Sequence, residues 1–351
     1  MDLRAEILDI PCALSETVEK GRPEYDALVR QTRWGDGPIF VVASGASLAT
    51  GLTAAYAFES LLGWPVVVRE AVGFLAYSTS VLHPRSVLLA ISPGGEEPET
   101  LEVARLARGR GATVLALTHN ARGALAKMAT GTFLVRAGAG EEASAGVKAT
   151  VCAQAAASLV GLVAARALRR PSPQLDAMDA DFAKLPAHAE SAFRRLADAV
   201  RAFAAELQGW QRLAVVGAGF YHPAALQWAS FVTKLSGVDA RGFEVAELMA
   251  KPLPSWGSTP PAVVVLSGSR CRTKERLHQL VQRLRKVKIR TLAVTDSNEP
   301  EVSRRADLAV LLPVLTEMAG STLALAWLDW AAYEASRGQG RARGSLPLVP
   351  C

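Results

Sequence analysis

Ile39-Phe40-Val41-Val42-Ala43-Ser44-Gly45-Ala46-Ser47-Leu48-Ala49-Thr50-Gly51-Leu52-Thr53 is the stretch from which the fold is read. Ile39 to Val42 are β-branched or aromatic and predict a buried strand. Ser44-Gly45-Ala46-Ser47 predicts a turn, and an Ala/Leu-rich helix follows at once. A strand that ends in a small-residue turn at a helix N-terminus directs backbone N–H groups and the positive end of the helix dipole at one spot. Such a spot suits an anion or a hydroxyl-rich ligand. The same turn also occurs for packing alone, so the weight falls on its recurrence.

Strands and helices alternate outward from this stretch. Pro65–Val68 reads as an edge strand, and Ser86–Ile91 as a buried one that runs into Ser92-Pro93-Gly94-Gly95-Glu96-Glu97. A helix over Pro98–Gly109, a strand over Thr113–Thr118, a short helix and a strand over Thr132–Val135 lead to Glu141-Glu142. This alternation predicts a parallel sheet covered on both faces. The segment Leu175–Leu207 is helical throughout, and then the pattern restarts with strands at Leu213–Val216, Ala262–Leu266, Thr291–Thr295 and Leu308–Leu312. Gly217-Ala218-Gly219-Phe220 turns the first of these into a helix over Pro223–Leu235. Gly45 and Gly217 are 172 residues apart, Ser92 and Ser267 175, and Glu141 and Glu317 176. A repeat of this length is a duplicated domain. Open parallel sheets bind ligands beyond the carboxyl ends of their strands, so each half has one candidate cleft.

Composition agrees with this layout. Of the 351 residues, 50% are hydrophobic and 6% aromatic, enough apolar side chain for two α/β cores with close helix–sheet contact. The formal charge of +6 is dispersed. Its densest run, Arg283-Leu284-Arg285-Lys286-Val287-Lys288, has no interleaved aromatic and reads as a solvated helix face before a nucleic-acid patch. Cys12, Cys152, Cys271 and Cys351 have neither metal nor redox spacing and are expected as free thiols of a reducing compartment. The N-terminus has no signal-peptide pattern. Ala149–Leu168 is long enough to span a bilayer, but Gln154, Ser158 and Arg166 within it point to a buried helix. The expectation is a cytoplasmic chain with no membrane and no nucleic-acid partner.

The order of turns, the duplication, Tyr56–Gly63 with its Glu59-Ser60-Leu61, and the segments Leu101–Asn120 and Glu141–Lys148 resemble the sugar isomerase (SIS) domain family. The likeness is strongest to the isomerase half of glutamine–fructose-6-phosphate aminotransferase and its stand-alone deaminase and deglycase relatives. It implies two tandem SIS-type domains of α/β fold, related by a pseudo-twofold. The expected organisation is N-terminal helices over 1–33, a first domain over 34–170, a helical connector over 171–207, a second domain over 208–340 and a tail over 341–351. The resemblance also implies a sugar-phosphate or amino-sugar-phosphate ligand, a homodimer, and neither metal nor organic cofactor. No Cys-led glutaminase domain is expected.

In that family a G-T-S turn and an S-x-S-G-E-T loop hold the phosphosugar. The resemblance carries these roles to Gly45, Ala46 and Ser47, to Ser92, Gly94, Gly95 and Glu97, and to Val147 and Lys148. Gly94 replaces a serine and Glu97 a threonine, so two hydroxyls are lost and a carboxylate arrives where phosphate is expected. Like charges at close range oppose each other. Either Glu97 turns outward as a first-turn helix residue, the favoured expectation, or the ligand is not a simple phosphate monoester. The second half departs further: the family's proton-transfer glutamate aligns with Lys234, its early-helix glutamate with Gln227 and its ring-opening histidine with Ala250. Alanine supplies no general acid or base. The remaining catalytic candidates are Glu247, Lys234 and His222, each with a plainer role as a salt-bridge partner, a solvated lysine or a helix-start residue. Two functions stay open: an isomerase-, deaminase- or deglycase-type enzyme with divergent residues, and a non-catalytic phosphosugar sensor or partner subunit.

Overall fold

A computed structural model describes residues 3–137, 146–169, 172–250 and 261–338. The chain divides into two compact units, one of Asp9–Pro186 and one of Ala187–Cys351 together with Met1–Leu8. The N-terminal helices therefore do not act as one block. Helix α1 (Leu3–Leu8) packs on the last helix of the second unit, whereas α2 (Ile10–Ser15) and α3 (Gly21–Gln31) pack in the first.

The first unit holds β1 (Ile39–Ala43), α4 (Ser47–Leu62), β2 (Val66–Glu70), α5 (Ala71–Tyr77), β3 (Val87–Ile91), α6 (Pro98–Gly109), β4 (Thr113–Thr118), α7 (Ala124–Met128), β5 (Gly131–Leu134), α8 (Val147–Leu168) and α9 (Pro173–Ala183). Its five strands are all parallel in the order β2-β1-β3-β4-β5. Every residue of β1 and β3 is buried, as a sheet covered on both faces requires. Side chains alternate between the faces. Phe40, Val42, Leu88, Ala90, Val114 and Ala116 join α5, α6 and α7 in one core cluster. On the opposite face α4 lies against α8, and α2 and α3 also pack on α8. At 22 residues α8 is long and apolar enough to cross a membrane, yet it is the buried core helix of this unit. Gly161 makes the closeness of α4 and α8 possible, since a Cβ there would overlap Ala57.

The division between units falls within α10 (Leu185–Arg195). The expected connector is thus shared: α9 packs on α8 of the first unit, and α11 (Ala197–Leu207) packs on the last helix of the second. The second unit continues with β6 (Arg212–Gly217), α12 (Tyr221–Ser236), β7 (Asp239–Glu244), α13 (Val245–Ala250), β8 (Ala262–Leu266), α14 (Lys274–Lys286), β9 (Thr291–Asp296), α15 (Pro300–Ser303), β10 (Leu308–Leu312) and α16 (Glu317–Gly338). Its parallel order is β7-β6-β8-β9-β10, the same as in the first sheet. β7 was not expected from Asp-Ala-Arg-Gly-Phe-Glu. It is an edge strand with only Phe243 buried, so polar residues along it face water at no cost.

Candidate functional site

At the carboxyl rim of the first sheet, β1 passes into α4 through Ser44-Gly45-Ala46. Gly45 has a φ of +56°, in the left-handed region that favours glycine, and Gly45 and Ala46 are exposed. The first helical N–H groups are partly engaged: those of Ser47, Leu48 and Ala49 donate to the carbonyls of Ser44, Gly45 and Ala46 at 3.1–3.3 Å. The turn therefore offers fewer N–H groups than the sequence pattern suggested. Ser47, half-buried at the first helical position, and Ser44, whose Oγ is buried with no partner among the described residues, supply hydroxyls instead.

The β3–α6 loop lies on the neighbouring strand. Ser92 is buried, and its Oγ accepts from the Gly95 N–H at 3.1 Å. Gly95 has a φ of +71°. The loop is anchored on the next strand end: His119 N–H and Thr118 Oγ1 donate to Pro93 O at 3.0 and 2.9 Å, and Asn120 Nδ2 donates to Gly94 O at 3.1 Å. Glu97 is half-buried at the N-cap of α6. Thr100 Oγ1 donates to its carboxylate at 3.2 Å. Burial raises the Glu97 pKa, the Thr100 and Ser92 hydroxyls oppose that, and the Glu99 and Glu70 charges add to it. The Glu97 carboxylate is thus partly desolvated at the start of α6, with Thr100 of the same helix as its hydroxyl donor. His119 directly follows β4; its Nδ1 is buried without a partner among the described residues, and burial pushes its pKa down to about 4, so it is neutral at pH 7.

Val147 and Lys148 open α8 and are buried. Lys148 Nζ pairs with Asp9 Oδ2 at 2.6 Å, so its charge is spent on fastening α8 to the N-terminal segment. Glu141 and Glu142 lie outside the described residues.

In the second unit the equivalent turn is closed from within. Gly217, Ala218 and Phe220 are buried. Glu317, the first residue of α16, directs its carboxylate into this turn: Phe220 N–H donates to Oε1 at 3.1 Å and Arg272 N–H to Oε2 at 3.3 Å. The Cys271 thiol adds a contact at 3.6 Å. A Cβ on Gly219 would overlap Glu317 Oε1. Desolvation raises the Glu317 pKa, and these N–H groups partly offset it. Beside it Asp296 Oδ2 accepts from Ser269 N–H and Oγ at 2.7 and 3.0 Å. Burial also pushes the Cys271 thiol to about 12 and Tyr221 well above the usual phenol range, so neither is ionised at pH 7.

The three catalytic candidates do not gather at one point. His222 is half-buried in the first turn of α12, where desolvation lowers its pKa against the charges of Glu244 and Glu247. Glu244 accepts from Ala246 N–H at 2.6 Å and caps α13, and Glu247 is exposed on that helix. Arg241 pairs with Asp239. Lys234 is exposed and sits about 18 Å along α12 from His222. It is not the buried amine that a Schiff base needs, which removes the ground for that role. Lys251 lies outside the described residues. No cluster of three His, Cys, Asp or Glu among the described residues is placed to hold a metal ion.

Ser44, Glu70 and His119 at the first rim, and Glu317 at the second, were not singled out as site residues from the sequence. The first three each end or immediately follow a strand, so reading the last residue of every strand and the one after it, and not only the glycine turns, would have found them.

Comparisons with known proteins agree with this architecture. Residues 36–164 match the family model of the SIS domain. Over 348 residues, 95% of this chain and 54% of the relative, the sequence is 28% identical to the isomerizing glutamine–fructose-6-phosphate aminotransferase of Mycolicibacterium smegmatis. The chain spans about half the length of the curated relatives it matches. Among solved structures, the C-terminal domain of glucosamine-fructose-6-phosphate aminotransferase from Francisella tularensis superposes with a TM-score of 0.83 at 19% identity, covering 98% of each chain. Tagatose-6-phosphate ketose/aldose isomerase from Escherichia coli gives 0.77 at 17% identity, covering 99% of this chain and 96% of that one.

Proposed function

We propose that this chain, whose residues 36–164 match the SIS domain model, is a member of that family and binds a sugar phosphate or amino-sugar phosphate in the cleft of its first unit. There it acts as an isomerase-, deaminase- or deglycase-type enzyme of carbohydrate-derivative metabolism with divergent catalytic residues. The observation that carries the choice of unit is the contrast between the two glycine turns. One is exposed at Gly45-Ala46 and flanked by Ser44, Ser47 and Ser92, and the other is filled by the Glu317 carboxylate. The ligand's phosphate and hydroxyls would take up the hydroxyls and remaining N–H groups of Gly45–Ser47 and Ser92–Gly95. Glu97 and His119 are the titratable groups beside them. On this reading the protein works in the cytoplasm as a homodimer and needs no metal or organic cofactor.

A second reading, a non-catalytic phosphosugar sensor or partner subunit, is favoured by the exposure of Lys234 and by Ala250 at the position aligned with a ring-opening histidine. A thermal-shift screen with fructose 6-phosphate, glucosamine 6-phosphate, galactosamine 6-phosphate and the unphosphorylated sugars tests both. A ligand at a hundred times its dissociation constant adds about 2.7 kcal/mol of stability. The expected result is a shift with a phosphosugar that Ser47→Ala abolishes. Conversion of that sugar on incubation identifies the enzyme, binding without conversion the sensor, and no shift with any phosphosugar overturns the proposal.

A further inference from the structure

The densest basic run of the sequence, Arg283–Lys288, takes no part in either carboxyl rim. It ends α14 and lies toward the opposite, amino-terminal ends of the second sheet's strands, where β9 and β10 begin. There it forms one wall of an open cleft of about 420 Å³. The segment Arg304–Asp307 between α15 and β10, together with Arg290 and Thr291, also lines it.

The charges of this cleft do not cancel. Arg290 is spent on the fold: its Nε and Nη2 donate to Glu206 at 3.2 and 2.7 Å, and its Nη1 lies 3.4 Å from Asp307. Asp307 is compensated in turn, because its Oδ2 also accepts the Thr291 N–H at 2.7 Å. Arg305 pairs with Glu301 at 2.7 Å. Arg285, Lys288 and Arg304 remain, exposed and paired with no carboxylate among the described residues. Three uncompensated cations face one concavity.

Lys288 provides an independent observation. It is the one described non-glycine residue with positive φ, at +58°. It occupies the left-handed position of the turn that ends α14, where Lys288 N–H donates to Arg285 O and Ile289 N–H to Leu284 O. The first unit builds the same turn after α6, with Gly111 N–H donating to Arg108 O and Ala112 N–H to Ala107 O. Its left-handed residue is Gly111, with a φ of +78°. Glycine is the residue such a turn favours. The second unit instead holds a strained lysine there, at the mouth of the basic cleft, as functional sites hold strained residues.

We infer that this cleft binds a small anion carrying two or more linked phosphates. A single phosphate would leave part of the charge of three cations unmatched. Among the described residues that line the cleft none is aromatic, and Ile289 is buried, so the cleft suits linked phosphates better than a base that must stack. Arginine forks and a lysine point charge are the side chains that hold phosphate oxygens.

Isothermal titration of the full chain with inorganic pyrophosphate and tripolyphosphate, with orthophosphate as comparator, tests this. The expected result is saturable one-to-one binding, tighter for pyrophosphate than for orthophosphate and weaker at higher salt. Lys288→Gly removes the cation while giving the turn the residue it favours, so this variant folds. It and Arg304→Gln should each weaken pyrophosphate about tenfold. Ser47→Ala should leave pyrophosphate binding unchanged, which separates this cleft from the proposed sugar-phosphate site. Absence of saturable binding up to about 1 mM pyrophosphate, equal binding by Lys288→Gly and Arg304→Gln, or displacement of pyrophosphate by a tighter-binding oligonucleotide would each overturn the inference.

Discussion

Glu97 and His119 stand at the same rim, and their pKa shifts give pH dependences of opposite sign. His119 titrates near 4 in the folded chain because burial opposes its charge, against an ordinary value of 6.5. Between those values the unfolded chain binds more protons. Its contribution to stability is therefore complete above pH 6.5 and is lost as pH falls toward 4, with a slope of at most about 1.4 kcal/mol per pH unit. Urea unfolding at pH 7 and pH 5 should show this loss, and His119→Asn should reduce it. Glu97 is raised, chiefly by burial, so its ionisation opposes folding and its contribution fades as pH rises through the folded value. A bound phosphate would raise it further. Phosphosugar affinity is therefore expected to fall with rising pH more steeply in the native protein than in Glu97→Gln, as titration calorimetry across pH 5 to 8 would measure. Equal slopes would mean that Glu97 does not face the ligand. Ser47, Ser92 and Gly45 were legible because each lies in a turn directly after a strand. The partial desolvation of Glu97 was not, because its surroundings include Thr100 one helical turn ahead, Ser92 in its own loop and Glu70 at the end of another strand.

Helix α8 and its partner α4 show how an element's sequence sets its distance from a neighbour. Gly161 faces Ala57, and a methyl group at position 161 would overlap the Ala57 Cβ, which has no rotamer to yield. Gly161→Ala is expected to destabilise the first unit by about 1–3 kcal/mol in chemical denaturation. Ala57→Gly in the same chain should recover part of that loss, whereas an unrelated helix glycine replacement should not. Strands such as β1, β3 and β8 were legible because continuous apolar runs of five residues bury on both faces. β7 was not, because an edge strand with one buried residue has the composition of a loop, and its pairing with β6 is decided by the backbone. The separation of His222 and Lys234 was also implicit in the chain. Twelve residues on one helix place them more than three turns apart.

Two units with the same strand order have taken different courses at their glycine turns. The near-constant offsets of 172 to 176 residues made the duplication readable, and an all-helical Leu175–Leu207 made it natural to divide the chain there. The fold instead assigns α9 to the first unit and α11 and α1 to the second, through apolar helix faces whose partners the sequence does not name. Nor does it name the partner of the second turn, since Glu317 and Phe220 are 97 residues apart. Glu317 there does for the backbone what a bound anion would do: it accepts two N–H groups in a buried setting. Removing it should strand those donors, and each unsatisfied buried group costs about 1–3 kcal/mol. Glu317→Ala is therefore expected to lower the unfolding free energy by roughly 2–4 kcal/mol, and Glu317→Gln by less, because its amide oxygen still accepts one of them. Neither change should diminish the phosphosugar-induced thermal shift measured from the variant's own baseline, since that shift is assigned to the first unit. Ser47→Ala should do the reverse, keeping the baseline and losing the shift. A folded Glu317→Ala protein that no longer responds to phosphosugar would move the ligand to the second unit and make Glu317 part of its site.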